Sequence, residues 1–156
     1  MKGYFLIFAA VSLIFATSSM AAMKGMDHGS TSDKGMNHGS SSDDGSFTHT
    51  AMAGDVHAEF KVMDLASMKM KDPEGRTHHV MATFTRNGEK IPKMVGKVKL
   101  VSPGKKEQIA DLKDFGGGIF AANFTIDEPG KWGVICLFKD EKGTQTVKFW
   151  YPHMAM

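Results

Sequence analysis

The stretch of sequence that decides the fold is Thr77-His78-His79-Val80-Met81-Ala82-Thr83-Phe84. Its apolar side chains alternate with polar or soft ones at period two, which predicts a β-strand with one apolar face. The same period places His79 and Met81 together on the opposite face, and His78 begins the apolar side at the end of the strand. Imidazole and thioether groups are ligands for copper and similar metals. The alternative is an ordinary sandwich strand with one surface methionine.

The composition of the chain is that of a soluble globular protein. It has 156 residues, of which 42% are hydrophobic and 23% charged, enough for one domain with additional segments. The formal charge of +2 comes without a basic stripe, which argues against binding nucleic acid. The chain has 13 methionines and 7 histidines but a single cysteine, so an internal disulfide and a CxxC site are excluded.

Residues 1–22 have the features of a signal peptide. Lys2 gives a charged start, an apolar run follows from Tyr4 to Ala16, and small residues precede the expected cleavage point. The run is short for a membrane span, and no later segment could cross a membrane. We therefore expect a periplasmic or secreted protein, without stable membrane insertion after cleavage.

Residues 23–46 form a second segment, with no aromatic residue and much Gly, Ser and Asp. Such a segment cannot bury enough apolar surface to offset its ordering entropy, so we expect a disordered leader. It contains two copies of a ten-residue repeat, and each copy places a methionine two residues before a histidine. These pairs are Met26 with His28 and Met36 with His38. The leader is either a metal-capturing segment or a polar linker.

Residues 47–156 are expected to form the folded domain. Alternation from Val56 to Val62 predicts a half-buried strand, and Asn87-Gly88 predicts a hairpin turn. Apolar residues on both faces of Trp132–Phe138 predict a central, well-buried strand. The remaining strands are predicted at Val95–Val101, Lys106–Leu112, Ile119–Ile126 and Thr144–Tyr151. About seven short strands at turn spacings of roughly 8 to 12 residues, with no helical period, indicate an all-β antiparallel sandwich.

The run Ile119–Ile126 followed by Pro129-Gly130-Lys131-Trp132 resembles the last strands of YtkA-like and FixH-like periplasmic domains. The resemblance covers about residues 54–151 and implies an immunoglobulin-like fold. The Met- and His-rich leader is also similar to that of CopC-type copper-handling proteins, which share this kind of sandwich. CopC-type Cu(II) sites use a histidine at the mature N-terminus, whereas cleavage here exposes Ala22 or Met23. No family site is therefore carried over.

Candidate metal ligands occur in the leader and between residues 57 and 81. If the strand that contains His57 pairs with the strand that begins at His78, His57 and the face of His79 and Met81 could come close. Met68 and Met70, on the connection between those strands, point the same way if the chain there is extended. The full set of predicted ligands is Met26, His28, Met36, His38, His57, Met68, Met70, His78, His79 and Met81. Thioether and imidazole donors favour Cu(I) over Cu(II) as the bound ion.

The sequence gives no indication of an enzyme. It contains no Gly-x-Ser-x-Gly, no HExxH and no Walker loop, and its carboxylates are not paired near a histidine as acid–base catalysis needs. Cys136 lies in the most apolar strand and is expected to be a buried hydrophobe.

The leading hypothesis is a periplasmic copper-binding protein. It would buffer or chaperone copper, or deliver it to an efflux or oxidase-assembly partner. The alternative is a non-catalytic structural or interaction module of an envelope complex, with the leader as a tether. An Fe(II) or Zn(II) binder is a third reading, disfavoured for zinc because no Cys/His framework is present.

Overall fold

The computed structural model describes residues 40–41 and 44–154. Outside the described residues lie the predicted signal peptide, 1–22, and the four leader ligands, Met26, His28, Met36 and His38. What the sequence indicates for that part of the chain stays a prediction.

Eleven β-strands and no α-helix make up the described part of the chain. In chain order they are β1 (Ser40–Ser41), β2 (Phe47–Ala53), β3 (Val56–Asp64), β4 (His78–Arg86), β5 (Glu89–Lys90), β6 (Val95–Val101), β7 (Glu107–Asp111), β8 (Lys113–Asp114), β9 (Ile119–Phe124), β10 (Gly130–Asp140) and β11 (Gly143–His153). Within residues 40–41 and 44–154 there is no helix of the length and apolar character that a membrane crossing needs.

The strands form two antiparallel sheets. The seven-stranded sheet has the order β1-β2-β3-β4-β9-β8, with β5 paired to β4, and the four-stranded sheet has the order β11-β10-β6-β7. The rings of Phe84, from the first sheet, and Phe138, from the second, have centroids 4.4 Å apart. The sheets therefore pack face to face, and the predicted all-β antiparallel sandwich is confirmed.

The core between the sheets follows from alternation along each strand. Every second residue of β4 from His78 to Phe84 is buried, as is every second residue of β3 from Val56 to Val62. Trp132 and Cys136 fill the facing side of β10, where the predicted buried cysteine is confirmed. Full burial of a large apolar side chain is worth about 1.5–3 kcal/mol, so the inner faces account for most of the stabilisation.

Two tight turns shape the seven-stranded sheet. Asn87 and Gly88 have φ values of 52° and 81° and join β4 to β5, as expected for a type I′ hairpin turn. Gly54, at φ 61°, precedes Asp55 between β2 and β3, and glycine first in a two-residue turn is the II′ pattern. β2 has no counterpart among the predicted strands. The described residues contain eight strands of five residues or more and three two-residue ones.

The beginning of the domain also differs from expectation. Ser40 and Ser41 were assigned to the leader, yet they pair with Thr48 and Phe47 as β1. Asp44, in the same segment, accepts hydrogen bonds from Ser46 and lies 3.0 Å from Lys61 Nζ of β3. The low apolar content of the segment did not indicate this strand pairing or these hydrogen bonds.

The central position of β10 was predicted correctly. Its predicted burial on both faces is found on the inner face only. The strand is central in its sheet, between β11 and β6, and its inner face is buried. On the outer face Ile135 is half-buried and Leu137 is 47% exposed. The prediction of burial on both faces was wrong because no described element covers the outer face of the four-stranded sheet.

The two sheets are joined ionically at one end of the sandwich. Arg86, the last residue of β4, donates to Asp55 at 2.7 Å and lies 2.6 Å from Asp140 of β10. Asp140 also accepts hydrogen bonds from the backbone of Lys142 and Gly143. We call this the Arg86 end, and the opposite end of β4 the His78 end.

Candidate metal centre

Within residues 40–41 and 44–154, no three His, Cys, Asp or Glu side chains are placed to bind one metal ion. The thiol of Cys136 is buried, and burial raises its pKa to about 12, so it is not a thiolate ligand. Methionine sulfur is the remaining soft side-chain donor among the described residues, and its position relative to the histidines is considered next.

The strand β4 presents its two histidines to opposite faces, as predicted. His79 and Met81 are half-buried on the outer face of the seven-stranded sheet, whereas His78 is buried on the inner face at the end of the sandwich. The period of two separates the adjacent histidines, so His78 and His79 belong to different environments.

The register of β3 against β4 adds a third soft donor. Met63 is directly opposite His79, and Met81 follows two residues along β4 on the same outer face. Directly opposed residues have Cβ atoms about 5 Å apart, and diagonal ones about 7–8 Å, within reach of long side chains. We call Met63, His79 and Met81 the outer donor cluster. It contains two thioethers and one imidazole.

Hydrogen bonds fix the orientation of His79. Its Nδ1 is 2.6 Å from Oδ1 of Asn123 on β9, and Nδ2 of Asn123 donates to Oδ2 of Asp72 at 2.7 Å. A carboxylate only accepts hydrogen bonds, so the amide nitrogen of Asn123 faces Asp72 and its oxygen faces His79. Nδ1 of His79 therefore carries the proton, and Nε2 has the lone pair that a metal ligand needs.

Asp72 is held as a carboxylate. The hydrogen bond from Asn123 lowers the pKa of Asp72 most, and the backbone and charge of Arg76 lower it further. The carboxylate also accepts a hydrogen bond from the backbone of Glu74 at 2.8 Å. Asp72 thus gives His79, through one amide, the anionic support that metal-binding histidines commonly have.

A groove of about 430 Å³ lies beside His79. Phe115 stands edge-on to the imidazole, with ring centroids 6.0 Å apart, and Asp72, Arg76 and Asn123 also line the groove. The imidazole therefore has an aromatic neighbour towards β9 and Met63 towards β3. One side of the cluster is open to solvent, as the entry and release of a metal ion require.

His78 belongs to a second histidine group, at the His78 end. Its Nδ1 is 2.8 Å from Oγ1 of Thr77, and its ring lies edge-on to His153 of β11 at a centroid distance of 5.2 Å. Burial lowers the pKa of His78, and the charge of His153 adds to this against the opposing effect of Asp64. His78 and His153 are 75 residues apart in the chain, and no local pattern in the sequence predicts their contact.

The predicted approach of His57 to the face of His79 and Met81 was wrong. The two strands do pair, but His57 lies opposite Thr85 and Met52, at the Arg86 end. Thr85 is six residues from His79 along β4, and at about 3.3 Å per residue that separation is roughly 20 Å.

Met68 and Met70 are in the loop from Asp64 to His78, at the same end of the sheet as the outer donor cluster. The loop is not extended there, since Met70 donates its backbone N–H to Leu65 and Lys69 has a φ of 56°. The condition for their pointing the same way is therefore not met. Met68 is half-buried and Met70 exposed.

His49, another histidine of the sequence, is a core residue. It is only 3% exposed and stacks on Phe149 with ring centroids 4.3 Å apart. Among the described residues its Nε2 has no hydrogen-bond partner, and burial lowers the pKa of the ring. His49 is therefore a neutral packing group and not part of the candidate site.

A solved structure similar to this fold is that of a DUF4426 family protein from Pseudomonas aeruginosa PAO1. The TM-score is 0.53 and the identity 11%, over 69% of this chain and 94% of that protein. At such low identity the likeness supports the fold alone. No protein-family model matches the sequence, and no curated protein matches it. The resemblance to YtkA-like, FixH-like and CopC-type proteins stays a prediction from the sequence.

Proposed function

We propose that this protein is an exported, non-catalytic β-sandwich that binds Cu(I) as cargo through Met63, His79 and Met81. The observation that carries the proposal is the placement of Met63 opposite His79, whose Nδ1 is hydrogen-bonded to Asn123, which in turn donates to Asp72. That arrangement leaves one imidazole nitrogen available on the sheet face that also carries the two thioethers.

The chemistry of the donor set favours Cu(I). Thioether sulfur is a soft ligand that selects Cu(I), and imidazole also suits copper, whereas magnesium and calcium require oxygen ligands. A thioether carries no proton to lose and forms no disulfide, so such a site does not lose its ligands to disulfide formation in an oxidising compartment.

The leader has a complementary role in this proposal. Its two Met-x-His pairs supply the same two donor types as the outer donor cluster. They would collect the ion and pass it to the folded site, from which an efflux or oxidase-assembly partner would receive it. Exchange between similar donors keeps the ion bound at each step while no single site holds it irreversibly.

The test is a Cu(I) titration against a competing chelator, with the leader ligands removed by Met26→Leu, His28→Asn, Met36→Leu and His38→Asn. In this background we expect Met63→Leu with His79→Asn and Met81→Leu to lower the Cu(I) affinity by more than about 100-fold. Removing a residue that only orients a metal ligand typically lowers metal affinity by about 10–100-fold, so a larger loss indicates that ligands themselves have been removed.

The matched control is Met52→Leu with His57→Asn, which removes the same residue types from the same face of the sheet at the Arg86 end. It should change the Cu(I) affinity by less than about twofold, since one thioether and one imidazole make an incomplete site. Loss of all binding on removal of the leader ligands alone would contradict the folded site. Equal loss in the triple variant and the control would do the same.

A further inference from the structure

The outer face of the four-stranded sheet differs from the metal face in chemistry. The register of β6, β7, β10 and β11 places the following residues on it: Val95, Lys97, Lys99, Val101, Glu107, Ile109, Asp111, Lys131, Gly133, Ile135, Leu137, Lys139, Thr144, Thr146, Lys148, Trp150 and Pro152. We call it the lysine face. It contains no methionine and no histidine.

Large apolar side chains on the lysine face are unusually exposed. Trp150 is 66% exposed, Ile109 63% and Leu137 47%. A Cβ built on Gly133 would lie 3.4 Å from Cζ3 of Trp150, so the indole lies over Gly133 in the neighbouring strand. An exposed apolar surface of this kind, mixed with charge, is typical of an interaction site.

The charge of the lysine face is strongly positive. It has five lysines against two carboxylates, and both carboxylates are already paired. Lys97 lies 2.7 Å from Asp111, and Lys99 lies 2.6 Å from Glu107. Within the described residues, the other three lysines, Lys131, Lys139 and Lys148, have no carboxylate within 4.0 Å. These three charges are therefore available to an anionic partner.

A groove of about 650 Å³ lies beside the exposed indole. Trp150, Pro152, Lys131 and Lys148 of the lysine face line it on one side, and the core residues Phe47, His49 and Phe149 line it on the other. The groove thus runs from the lysine face to the apolar core and has two amines at its outer side. This combination fits amphiphilic molecules with an anionic head.

We infer that the lysine face docks onto a membrane surface rich in anionic phospholipid. Tryptophan and lysine are the residues that anchor proteins at membrane interfaces, and clustered lysines attract anionic headgroups. All five cations are lysines, which act as point charges, whereas arginine suits the fixed carboxylates of a protein partner. The inference does not depend on copper binding.

The chain offers an internal reference for the test. It has two tryptophans, and Trp132 is 1% exposed in the core, so a shift of tryptophan emission on binding reports Trp150. A chain that begins at residue 23 keeps every described residue and removes the apolar run 4–16, which would itself bind lipid. It is mixed with vesicles of phosphatidylglycerol and phosphatidylcholine, or of phosphatidylcholine alone.

We expect sedimentation with the phosphatidylglycerol vesicles, a blue shift of the emission, and loss of both in high salt. Lys131→Gln with Lys148→Gln should weaken binding by roughly tenfold or more, and Trp150→Ala should abolish the shift. The matched control, Lys90→Gln with Lys93→Gln, removes the same charge from exposed residues outside the lysine face and should bind like the parent chain.

Three results would overturn the inference. The first is equal binding to phosphatidylcholine, and the second is equal weakening by the control pair. The third is an emission shift with soluble polyglutamate or with oleate monomers but none with phosphatidylglycerol vesicles, which would indicate an acidic protein or a single lipid as the occupant.

Discussion

The two outer faces of the sandwich share one core and differ in almost every other respect. The face of the seven-stranded sheet carries soft donors, Met63, His79 and Met81, and on β2, β3 and β4 its one lysine, Lys61, is paired with Asp44. The lysine face of the other sheet has five lysines and an exposed Trp150, with no methionine or histidine. Alternate residues of each strand point into the core, so core packing constrains only those residues. The outward residues can therefore differ in chemistry between the two sheets.

The largest expected effect separates the core from both faces. Phe84→Ala removes a fully buried ring that packs on Phe60, Phe120 and Phe138, and we expect it to lower the free energy of unfolding by about 3–5 kcal/mol. Its neighbour Thr83→Ala, on the outer face, should change that free energy by no more than about 0.5 kcal/mol. Urea denaturation measures both. Similar losses in the two variants would contradict the assignment of faces.

Asn123 tests the metal face without touching a proposed ligand. Asn123→Leu removes the acceptor that holds the Nδ1 proton of His79, and we expect it to lower the Cu(I) affinity by about 10–100-fold. Asp72→Asn, which keeps an acceptor for Asn123, should lose less. Chelator competition measures both variants. Parent-like affinity in Asn123→Leu would show that the hydrogen-bond chain does not support a metal ligand.

Acidification tests the histidines of the inner faces. Burial lowers the pKa of His49 from 6.5 in the folded chain, so the folded state binds fewer protons than the unfolded state below that pH. The stability is therefore complete above about pH 6.5 and falls as the pH drops below it. His49→Phe should make the loss of Tm between about pH 7.5 and 5.5 smaller in the metal-free chain. Burial also lowers the pKa of His78, so His78 should account for the acid-dependent loss of Tm that remains in His49→Phe. An unchanged acid dependence in His49→Phe would contradict this origin.

The smallest expected effect concerns the lysine face. Gly133→Ala places a methyl group at an ordinary contact distance, 3.4 Å, from Cζ3 of Trp150. Because alanine loses less backbone entropy than glycine, we expect a stabilisation of about 0.5 kcal/mol by urea denaturation. A destabilisation of more than about 1 kcal/mol would mean that the indole cannot accommodate even one methyl group.

The sequence predicts what period and turn chemistry determine. The opposite faces of His78 and His79 follow from alternation along one strand, and the Asn87-Gly88 turn follows from the positive φ values that those residues tolerate. These are local properties, which is why both predictions are confirmed.

Register and pairing between distant strands were not predictable from the same patterns. Met63, and not His57, lies opposite His79 in the register of β3 and β4. This register is continued into the loop after Asp64 by a hydrogen bond from Leu65 N to Thr77 O at 2.8 Å. A different loop closure would have shifted the register and left the alternation of both strands unchanged. The contacts of His79 with Asn123 and of His78 with His153 depend likewise on strands far apart in the chain.

The most direct test of the copper site is NMR of the chain from residue 23 with ¹³C-labelled methionine methyl groups, titrated with Cu(I). Each methionine gives its own methyl signal, so the experiment reads which sulfurs bind the ion. We predict that the methyl signals of Met63 and Met81 shift together with the ring signals of His79, while Met52 and Met70 stay unchanged. Shifts confined to Met26 and Met36 of the leader, with Met63 and Met81 unmoved up to saturation, would contradict a copper site on the folded domain.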